Sequence, residues 1–382
     1  MKKLKVGVIG CGTISGIYLE NMTQKFSDVL DVVACSDLFP EKAEQTREKY
    51  GLKKACSNDE IISDPEIDIV LNLTIPAVHH DINMRTLKAG KHLYSEKPIS
   101  LTLEDLNELI AYAEAHGLKI GSAPDVCLGP VPQTARKLLN EGVIGDVVGF
   151  TVNHICPGNE IWHPSPDFLY KKGGGPLMDM GPYYISDIIA LLGPVEKVCC
   201  FRSEGSLARR PIWDHFVDVE VGTHFAATMK MKNGVVGSVT MSFDVWSSKL
   251  PYMEIFGTKG VLRLPQPNMF GGTLELLRSE KVMENVNRFT EMVERRDAGS
   301  AAVVEPLFES VPLVYDGWYN MRGVGIAEMA YAINEGRDNC LNGRFVRHFE
   351  EAIMGMEISA ETGEIYQMKT DCEAGKPFVL MS

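Results

Sequence analysis

A glycine-rich turn near the start of the chain combines residue types that bind phosphate groups. It contains Gly10, Gly12, Thr13, Ile14 and Ser15. The turn follows the apolar run Lys5–Ile9 and opens the predicted helix Thr13–Phe26. Gly10 permits a tight turn, and Gly12 lets a pyrophosphate approach backbone N–H groups at the helix N-terminus. The turn therefore predicts a dinucleotide site, with Ser15 in place of the usual third glycine.

An acidic residue, Asp37, ends the second apolar run, Asp31–Ser36. A carboxylate at this position accepts hydrogen bonds from the ribose hydroxyls of adenosine and repels a 2′-phosphate. Asp37 therefore favours NAD over NADP. NADP stays open as an alternative, because Lys42 or Arg47 could fold back over the adenosine.

Further segments carry residues suited to acid–base chemistry. They are Thr74-Ile75-Pro76, Glu96-Lys97-Pro98 and Gly173-Gly174-Gly175, the last followed by Asp179 and Tyr183. If Pro176–Leu192 is helical, Asp179 and Tyr183 are one turn apart and share a face. Together with the glycine turn, these segments resemble the glucose–fructose oxidoreductase/inositol dehydrogenase (Gfo/Idh/MocA) family. The resemblance extends over essentially the whole chain.

The resemblance implies a role for each residue of this group. Lys97 is expected beside the nicotinamide and the reacting hydroxyl, and Asp179 as a substrate-binding and catalytic partner. Tyr183 stands where the family usually has histidine and some members have tyrosine. We expect Tyr183 to be the general base or acid, with its phenolate favoured by the ammonium of Lys97. Asp179 would orient the substrate or Lys97.

These residue types suit the oxidation of a secondary alcohol. Hydride leaves the carbon while a proton leaves the oxygen, so a base must reach the hydroxyl and a cation must face the developing alkoxide. Partial desolvation near the nicotinamide is expected to lower the pKa of Lys97. We therefore predict an NAD-dependent dehydrogenase that acts on a secondary hydroxyl of a sugar, polyol or glycoside.

Several residues are predicted to contact the cofactor or the substrate. The expected cofactor contacts are Thr74, Pro76, His79, Glu96 and Lys97, although His79 could equally occupy a surface helix position. Trp162 offers a face that stacks on sugar C–H groups, and His163 is a substrate contact or a substitute for the missing histidine. Packing within a loop is the alternative for both. No tight ligand cluster such as His-Glu-x-x-His occurs, so we expect no metal.

Two other functions would use the same residues. Some members of the family keep NAD bound and cleave glycosides by oxidation, elimination and re-reduction. Others are non-catalytic dinucleotide-binding regulators, and the absent histidine keeps that reading open. Release of NADH on addition of a sugar argues against the first of these.

The elements that position these residues belong to two patterns. Strands alternate with helix-length segments over the first third, which predicts a doubly wound parallel sheet, the Rossmann fold. Consecutive strand-like runs and the hairpin signal Asn233-Gly234 then predict a mostly antiparallel, open sheet. The predicted fold class is α/β plus α+β, with a dinucleotide-binding domain at 1–124 and a substrate-binding and oligomerisation domain at 125–382. The resemblance implies a homodimer or homotetramer.

Beyond residue 124, strands and helices alternate irregularly. The predicted strands are Val147–Ile155, Val195–Phe201, Val217–Met231, Val235–Phe243 and Tyr252–Phe256, and the predicted helices are Pro132–Asn140, Pro176–Leu192, Arg322–Glu335 and Phe345–Met368. Ser279–Val311 shows no clear pattern.

Composition excludes several classes of protein. The 382 residues are 45% hydrophobic and 23% charged, as in ordinary globular proteins. A net charge of -13 argues against nucleic acid and anionic membranes as partners. No apolar stretch reaches the roughly 18 residues of a membrane span, and Val6–Ile9 is too short for a signal peptide. Nine scattered cysteines fit reduced thiols, so we expect a cytoplasmic protein.

Overall fold

The computed structural model describes residues 1–163, 165–203, 208–209, 216–283, 307–373 and 378. Most of Ser279–Val311, the segment without a sequence pattern, lies outside the described residues. Over the described residues, the chain builds two large sheets and the helices that cover them.

The first sheet has six parallel strands in the order β3-β2-β1-β4-β5-β6. They are β1 (Leu4–Ile9), β2 (Leu30–Ser36), β3 (Lys54–Ala55), β4 (Ile69–Asn72), β5 (His92–Ser95) and β6 (Ile120–Ser122). The four residues of β4 are all buried, as expected for a strand covered on both faces. The strand order reverses at β1, so a crevice opens at the carboxyl ends of β1 and β4. The predicted Rossmann sheet is confirmed.

Five helices accompany this sheet. They are α1 (Ser15–Gln24), α2 (Pro40–Tyr50), α3 (Asn58–Ser63), α4 (His79–Lys88) and α5 (Leu103–Ala115). Local sequence fixes several of their starts. Ser57 and Glu60 form a capping box at α3, and the Thr102 side chain accepts the N–H of Asp105 at α5.

The second sheet has nine strands in the order β16-β15-β14-β13-β7-β12-β11-β8-β17. They are β7 (Val147–Ile155), β8 (Val195–Ser203), β11 (His224–Met231), β12 (Val236–Ser242), β13 (Met253–Gly257), β14 (Gly260–Leu264), β15 (Glu275–Arg278), β16 (Glu309–Ser310) and β17 (Tyr366–Gln367). A separate pair consists of β9 (Ala208–Arg209) and β10 (Val217–Asp218). Strands β7 and β12 pair in parallel and the other described pairs of this sheet are antiparallel, which confirms the predicted mostly antiparallel sheet.

The helices beyond the first sheet that the structure describes from end to end include α6 (Pro130–Asn140), α7 (Gly175–Leu192), α8 (Val324–Glu335) and α9 (Gly343–Thr362). Helix α9 packs against β8 and α7 and also against α5 and β6. It therefore joins the two sheets, although it is the last helix of the described chain. The boundary predicted at residue 124 falls between the last strand of the first sheet and the first strand of the second, and it remains a prediction.

Two predicted elements differ from the structure. The predicted strand Val217–Met231 is two strands, because the N–H of Glu220 donates to the carbonyl of Tyr170, outside the sheet, and pairing with β8 begins only where the N–H of Thr223 donates to Ser203. The predicted helix Phe345–Met368 ends earlier, at Thr362. Gly363 adopts the left-handed conformation with a φ of +74° and ends the helix. The chain then returns as β17.

Within the described ranges, every helix is too short or too polar to cross a bilayer.

Candidate active site

The glycine-rich turn connects β1 to α1 at the carboxyl end of the first sheet. Gly10 has a φ of +105°, and a Cβ there would lie 2.7 Å from the carbonyl carbon of Leu73, so glycine is required. A Cβ on Gly12 would meet no atom within 4 Å, which leaves the turn open to an approaching group. Ser15 is buried and donates through Oγ to the carbonyl of Gly12 at 2.7 Å. The turn therefore keeps the open backbone that a pyrophosphate needs.

Asp37 lies beside this turn at the end of β2. Its Oδ2 accepts the N–H of Cys11 at 2.8 Å, and its Oδ1 accepts the N–H of Phe39 at 2.9 Å. Each carboxylate oxygen keeps another lone pair, and the residue is only half-buried. Asp37 can therefore also accept hydrogen bonds from ribose hydroxyls.

A cavity of about 890 Å³ extends from Asp37 along α2 and α3. Carboxylates of Glu41, Glu44 and Asp59 also line it. Arg85, the basic residue among its described lining residues, is ion-paired with Asp59. The field in this cavity is therefore negative, which disfavours a phosphate on the ribose.

The two cations that could have folded over the adenosine are engaged elsewhere. Arg47 pairs with Glu44 and Glu48 along α2. The Nζ of Lys42 lies 4.8 Å from the centroid of the Phe39 ring. Both cations are therefore engaged by residues of α2 or of the segment that precedes it.

Thr74 and Pro76 follow β4 and border the same crevice. The Oδ1 of Asn72 accepts the N–H of Thr74 at 3.1 Å and its hydroxyl at 2.7 Å. A Cβ on Gly10 would lie 3.0 Å from the backbone nitrogen of Thr74, so this segment packs directly against the glycine turn. Both residues are half-buried and can contact a dinucleotide there.

His79 is fully buried at the start of α4. Its Nδ1 lies 2.6 Å from the carbonyl oxygen of Pro98, and its Nε2 lies 3.0 Å from that of Thr74. This geometry does not support the expected contact with the nicotinamide. His79 instead braces the loop that carries Lys97.

Glu96 follows β5 and ties that loop to α1. Its Oε1 accepts the hydroxyl of Tyr18 at 2.8 Å, and its Oε2 accepts the N–H of Lys97 at 3.1 Å. Tyr18 is buried on the helix that begins at the glycine turn. The dinucleotide turn and the backbone of Lys97 are therefore rigidly connected.

Lys97, in the loop after β5, forms an ion pair with Asp179 of helix α7. Its Nζ donates to Oδ1 of Asp179 at 2.8 Å and to the carbonyl oxygen of Asp179 at 2.5 Å. Burial lowers the pKa of Lys97, but Asp179 and Tyr183 together raise it more, and the net pKa lies above the usual value. The expected lowering of this pKa is therefore wrong. Lys97 is an ammonium and a hydrogen-bond donor.

Helix α7 positions Asp179 and Tyr183. A Cβ on Gly174, just before the helix, would lie 2.5 Å from the carbonyl oxygen of Leu169, so the chain can enter α7 this way only with glycine. Tyr183 follows Asp179 by one turn on the same face, and its ring centroid lies 5.3 Å from the Nζ of Lys97. The structure thus brings Lys97, Asp179 and Tyr183 into one group.

Arg322 joins this group from the segment before α8. It is buried, its Nη2 lies 3.5 Å from the hydroxyl of Tyr183, and it donates to Oδ1 of Asn268 at 2.8 Å. Burial lowers the pKa of Arg322, but Tyr183, Tyr18 and Asp125 raise it above its usual value. Sequence reasoning missed Arg322 and Asn268, because neither lies in a recognisable motif near the other site residues.

Trp162 and His163 lie on the loop between β7 and α7. The Trp162 ring is 5.3 Å from His163, which is 5.5 Å from Phe168, both edge-to-face. Trp162 and Phe168 are largely exposed. These residues form an aromatic group separate from Lys97, and their predicted contact with substrate remains a prediction.

Family models match the chain over both of its sheets. The model described as "Oxidoreductase family, NAD-binding Rossmann fold" matches residues 4–123, and the one described as "GFO/IDH/MocA C-terminal domain" matches residues 133–263. The chain belongs to the Gfo/Idh/MocA family. It is accordingly an NAD-binding oxidoreductase, a dehydrogenase acting on CH–OH groups. Gly12, the start of α1 and Asp37 fit the dinucleotide.

Similar proteins of the family include characterised enzymes. Myo-inositol 2-dehydrogenase of Thermotoga maritima is 26% identical over 67% of this chain and 74% of its own. Trans-1,2-dihydrobenzene-1,2-diol dehydrogenase of Xenopus tropicalis is 27% identical over 68% of this chain and 75% of its own. A levoglucosan dehydrogenase structure in complex with NADH superposes with a TM-score of 0.78, at 20% identity, over 97% of this chain and 100% of its own. That likeness shows a shared fold.

The described residues include one set of side chains with metal-ligand chemistry. His80, Asp105 and Glu108 lie where α4 meets α5, with the Nε2 of His80 3.2 Å from Oε2 of Glu108. All three are at least partly exposed, as is common for surface ion pairs that hold no metal. The expected absence of a metal stays a prediction.

Proposed function

We propose that this member of the family oxidises a secondary hydroxyl of a sugar, polyol or glycoside with NAD. The observation that carries the proposal is the close group of Lys97, Asp179 and Tyr183 beside the dinucleotide crevice, in which Tyr183 is buried and the other two are half-buried. The group supplies a cation, a carboxylate and a phenol to one small volume. The similar myo-inositol and levoglucosan dehydrogenases have names that support hydroxyl-rich substrates.

The proposed proton path begins at Tyr183. The chemistry that NAD supplies when bound is acceptance of hydride from the carbinol carbon. The hydroxyl proton then has to leave the oxygen, and Lys97 is already protonated, so Tyr183 is the proposed acceptor. The Nζ of Lys97 and the guanidinium carbon of Arg322 lie 5.3 and 5.9 Å from the centroid of the Tyr183 ring, so two cations are close to the proposed acceptor.

Lys97 has a second proposed role as the donor that faces the developing alkoxide. The ammonium of Lys97 donates two hydrogen bonds to Asp179, one to its carboxylate and one to its carbonyl oxygen. A preoriented cation in a site shielded from water stabilises negative charge without first having to reorganise. Asp179 therefore serves as the orienting partner of Lys97.

NAD is the proposed cofactor rather than NADP. Asp37 stands at the ribose position, the adjoining cavity is lined by further carboxylates, and Arg47 is paired with Glu44. A 2′-phosphate would enter a negative field without a nearby free cation among the described lining residues.

The second sheet is the proposed oligomerisation surface. Phe201, Ala226 and Thr240 lie opposite one another on neighbouring strands of its outer face. Phe201 is 68% exposed, and Val236 on the same face is 45% exposed. Exposed apolar side chains on an open sheet favour a homodimer or homotetramer, which light scattering after size exclusion would detect.

A substrate panel tests the proposed activity. Sugars, polyols and glycosides are offered with NAD or NADP, and absorbance of the reduced nicotinamide is followed. We expect turnover with NAD, loss of turnover in Lys97→Met, and retention in the control Lys119→Met, whose lysine pairs with Asp338 away from the site. The absence of turnover across the panel with both cofactors would refute the proposal. Glycoside cleavage without release of NADH would instead support the oxidation–elimination reaction.

A further inference from the structure

Hydrogen bonds fix the backbone of the loop from Glu96 to Ser100 along most of its length. At its start, the N–H of Glu96 donates to the carbonyl of Asn72, the last residue of β4. Further along, the Pro98 carbonyl faces His79, and the Ile99 carbonyl accepts the side-chain amide of Asn83 at 3.2 Å. All of these partners come from the first sheet or from α4.

One partner of the loop comes from the far end of the chain. The N–H of Ile99 donates to Oε1 of Glu350 at 2.7 Å, across 251 residues of sequence. Glu350 lies on α9 and is 2% exposed. The backbone of Ser100 also faces its carboxyl group. Within the described structure, Oε2 of Glu350 has no hydrogen-bond partner.

A carboxyl group in this position is costly. Burial raises the pKa of Glu350 to about 8, against the opposing effect of the Ile99 and Ser100 N–H groups. An apolar side chain would avoid the cost of burying a polar group. It would leave the N–H of Ile99 unpaired in the interior, which also costs free energy. The described hydrogen-bond partners of the Glu350 carboxyl group are the backbone N–H groups of Ile99 and Ser100, in the loop that follows Lys97.

The same face of α9 also touches the helix that carries the other two site residues. Ile353, three residues after Glu350, lies one turn along that face. A Cβ built on Gly181 would lie 3.7 Å from two side-chain carbons of Ile353, so α9 packs on α7 at Gly181. Gly181 lies two residues from both Asp179 and Tyr183 and faces away from them. One stretch of α9 thus supports both halves of the catalytic group.

We infer that Glu350 is a positioning residue that sets the distance between the Lys97 ammonium and the Asp179–Tyr183 face of α7. It fixes the backbone two residues after Lys97, while Ile353 fixes α7. The inference rests on the proposed function, because it assigns Glu350 to the same reaction. Loss of this hydrogen bond lets Lys97 shift relative to Asp179, and misplacement by about 1 Å can cost on the order of 100-fold in rate.

The adjacent residue provides a matched control. Glu351 is 1% exposed and its carboxylate also accepts backbone N–H groups, those of Lys369 at 2.8 Å and Thr370 at 2.9 Å. Its loop is the C-terminal segment, which carries no proposed site residue. Glu350 and Glu351 are therefore both buried carboxyl groups of α9 that accept backbone N–H groups. They differ in the loop whose N–H groups they accept.

The test compares Glu350→Leu, Glu350→Gln and Glu351→Leu with the wild-type enzyme. We expect Glu350→Leu to lower kcat ~10- to 100-fold while the Kd for NADH stays within about twofold. Glu350→Gln keeps an acceptor oxygen and should recover most of kcat. Glu351→Leu should lower Tm without a comparable loss of kcat. Equal kcat in Glu350→Leu and wild type, or equal losses in both leucine variants, would overturn the inference.

A double variant and an exchange measurement complete the test. In a Lys97→Met background, Glu350→Leu should cause no further loss of the residual rate, and a full additional loss would contradict positioning through Lys97. If Glu350→Leu does not fold, hydrogen exchange of the wild-type protein decides instead. The Ile99 amide should exchange as slowly as the strands of the first sheet, and fast exchange would refute its clamping by Glu350. Inactivity of the wild-type enzyme on the whole substrate panel would refute the proposed function, and exchange of the Ile99 amide would then be the measurement that decides whether Glu350 clamps the loop.

Discussion

The guanidinium of Arg322 lies against the hydroxyl of Tyr183, with Nη2 3.5 Å from the phenolic oxygen across 139 residues of sequence. Because the guanidinium can only donate, the phenolic oxygen accepts from it. The phenolic hydrogen, when present, is then free to point toward substrate. Asn268 fixes the same Nη2 from the other side at 2.8 Å.

Replacement of Arg322 should therefore affect catalysis more than cofactor binding. Arg322→Met removes the donor to Tyr183, and we expect kcat to fall ~10- to 100-fold, the range of a charge-assisted hydrogen bond worth about 1.5–3 kcal/mol. Steady-state kinetics at saturating NAD measures the effect.

Arg136 is the matched control for loss of a buried guanidinium. It is 6% exposed and donates to the carbonyl oxygen of Ala190, away from Tyr183. Arg136→Met should lower Tm and leave kcat nearly unchanged. A similar fall in kcat for both variants would show that Arg322 acts only through stability.

Variants of the two neighbouring tyrosines of α7 distinguish a phenol that takes part in catalysis from one that only packs in the core. Tyr183→Phe removes the proposed proton acceptor, and we expect kcat to fall ~100-fold or more, as for loss of a general base. Tyr184 is fully buried, and its hydroxyl lies 3.3 Å from Nδ1 of His154. Tyr184→Phe should retain most of kcat. Stopped-flow reduction of NAD reports the chemical step in both variants, and equal rates would contradict the assignment.

The parts of the site that the sequence predicts are those with local causes. The glycine turn needs Gly10 because of the adjacent strand, and the Asp179–Tyr183 pair follows from helical spacing. Family resemblance supplied the expectation that Lys97 belongs with them. These residues sit at the ends of strands or within one helix, where sequence pattern and structure agree.

The parts that the sequence did not predict arise from contacts distant in sequence. Arg322 and Glu350 reach the site from segments between β16 and β17, and no periodicity links them to Tyr183 or Lys97. The pKa of Lys97 was predicted in the wrong direction for a similar reason. Burial was foreseen, but the opposing charge of Asp179 at 2.8 Å depends on the packing of α7.

Cofactor preference provides a prediction at the other end of the crevice. Asp37→Ala removes the acceptor for the ribose hydroxyls, so we expect the KM for NAD to rise ~10-fold or more and the preference for NAD over NADP to shrink. Glu41→Gln removes a charge from the same cavity without touching the glycine turn, and should change the NAD KM little. Initial rates measured with NAD and with NADP give both the KM for NAD and the preference between the two cofactors. An unchanged preference in Asp37→Ala would place the discrimination elsewhere.

The buried carboxyl group of Glu350 predicts how stability varies with pH. Its pKa is raised by burial from 4.5 to about 8, so the folded state holds a proton that the unfolded state has released. The stabilisation is fully present below about pH 4.5 and is lost as pH rises toward 8. Glu350→Gln cannot titrate. We therefore expect the free energy of unfolding of wild type, relative to Glu350→Gln, to fall by a few kcal/mol, on the order of one per pH unit, between pH 5 and 8.

Urea unfolding of both proteins at several pH values measures this difference, because the change common to all other groups cancels in the comparison. The Glu351→Gln variant, at a neighbouring buried carboxylate, is the reference for removing a charge from α9. A wild-type minus Glu350→Gln difference that stays constant from pH 5 to 8 would mean that Glu350 is ionised in the folded state throughout this range. The Ile99 and Ser100 N–H groups would then outweigh burial at this position.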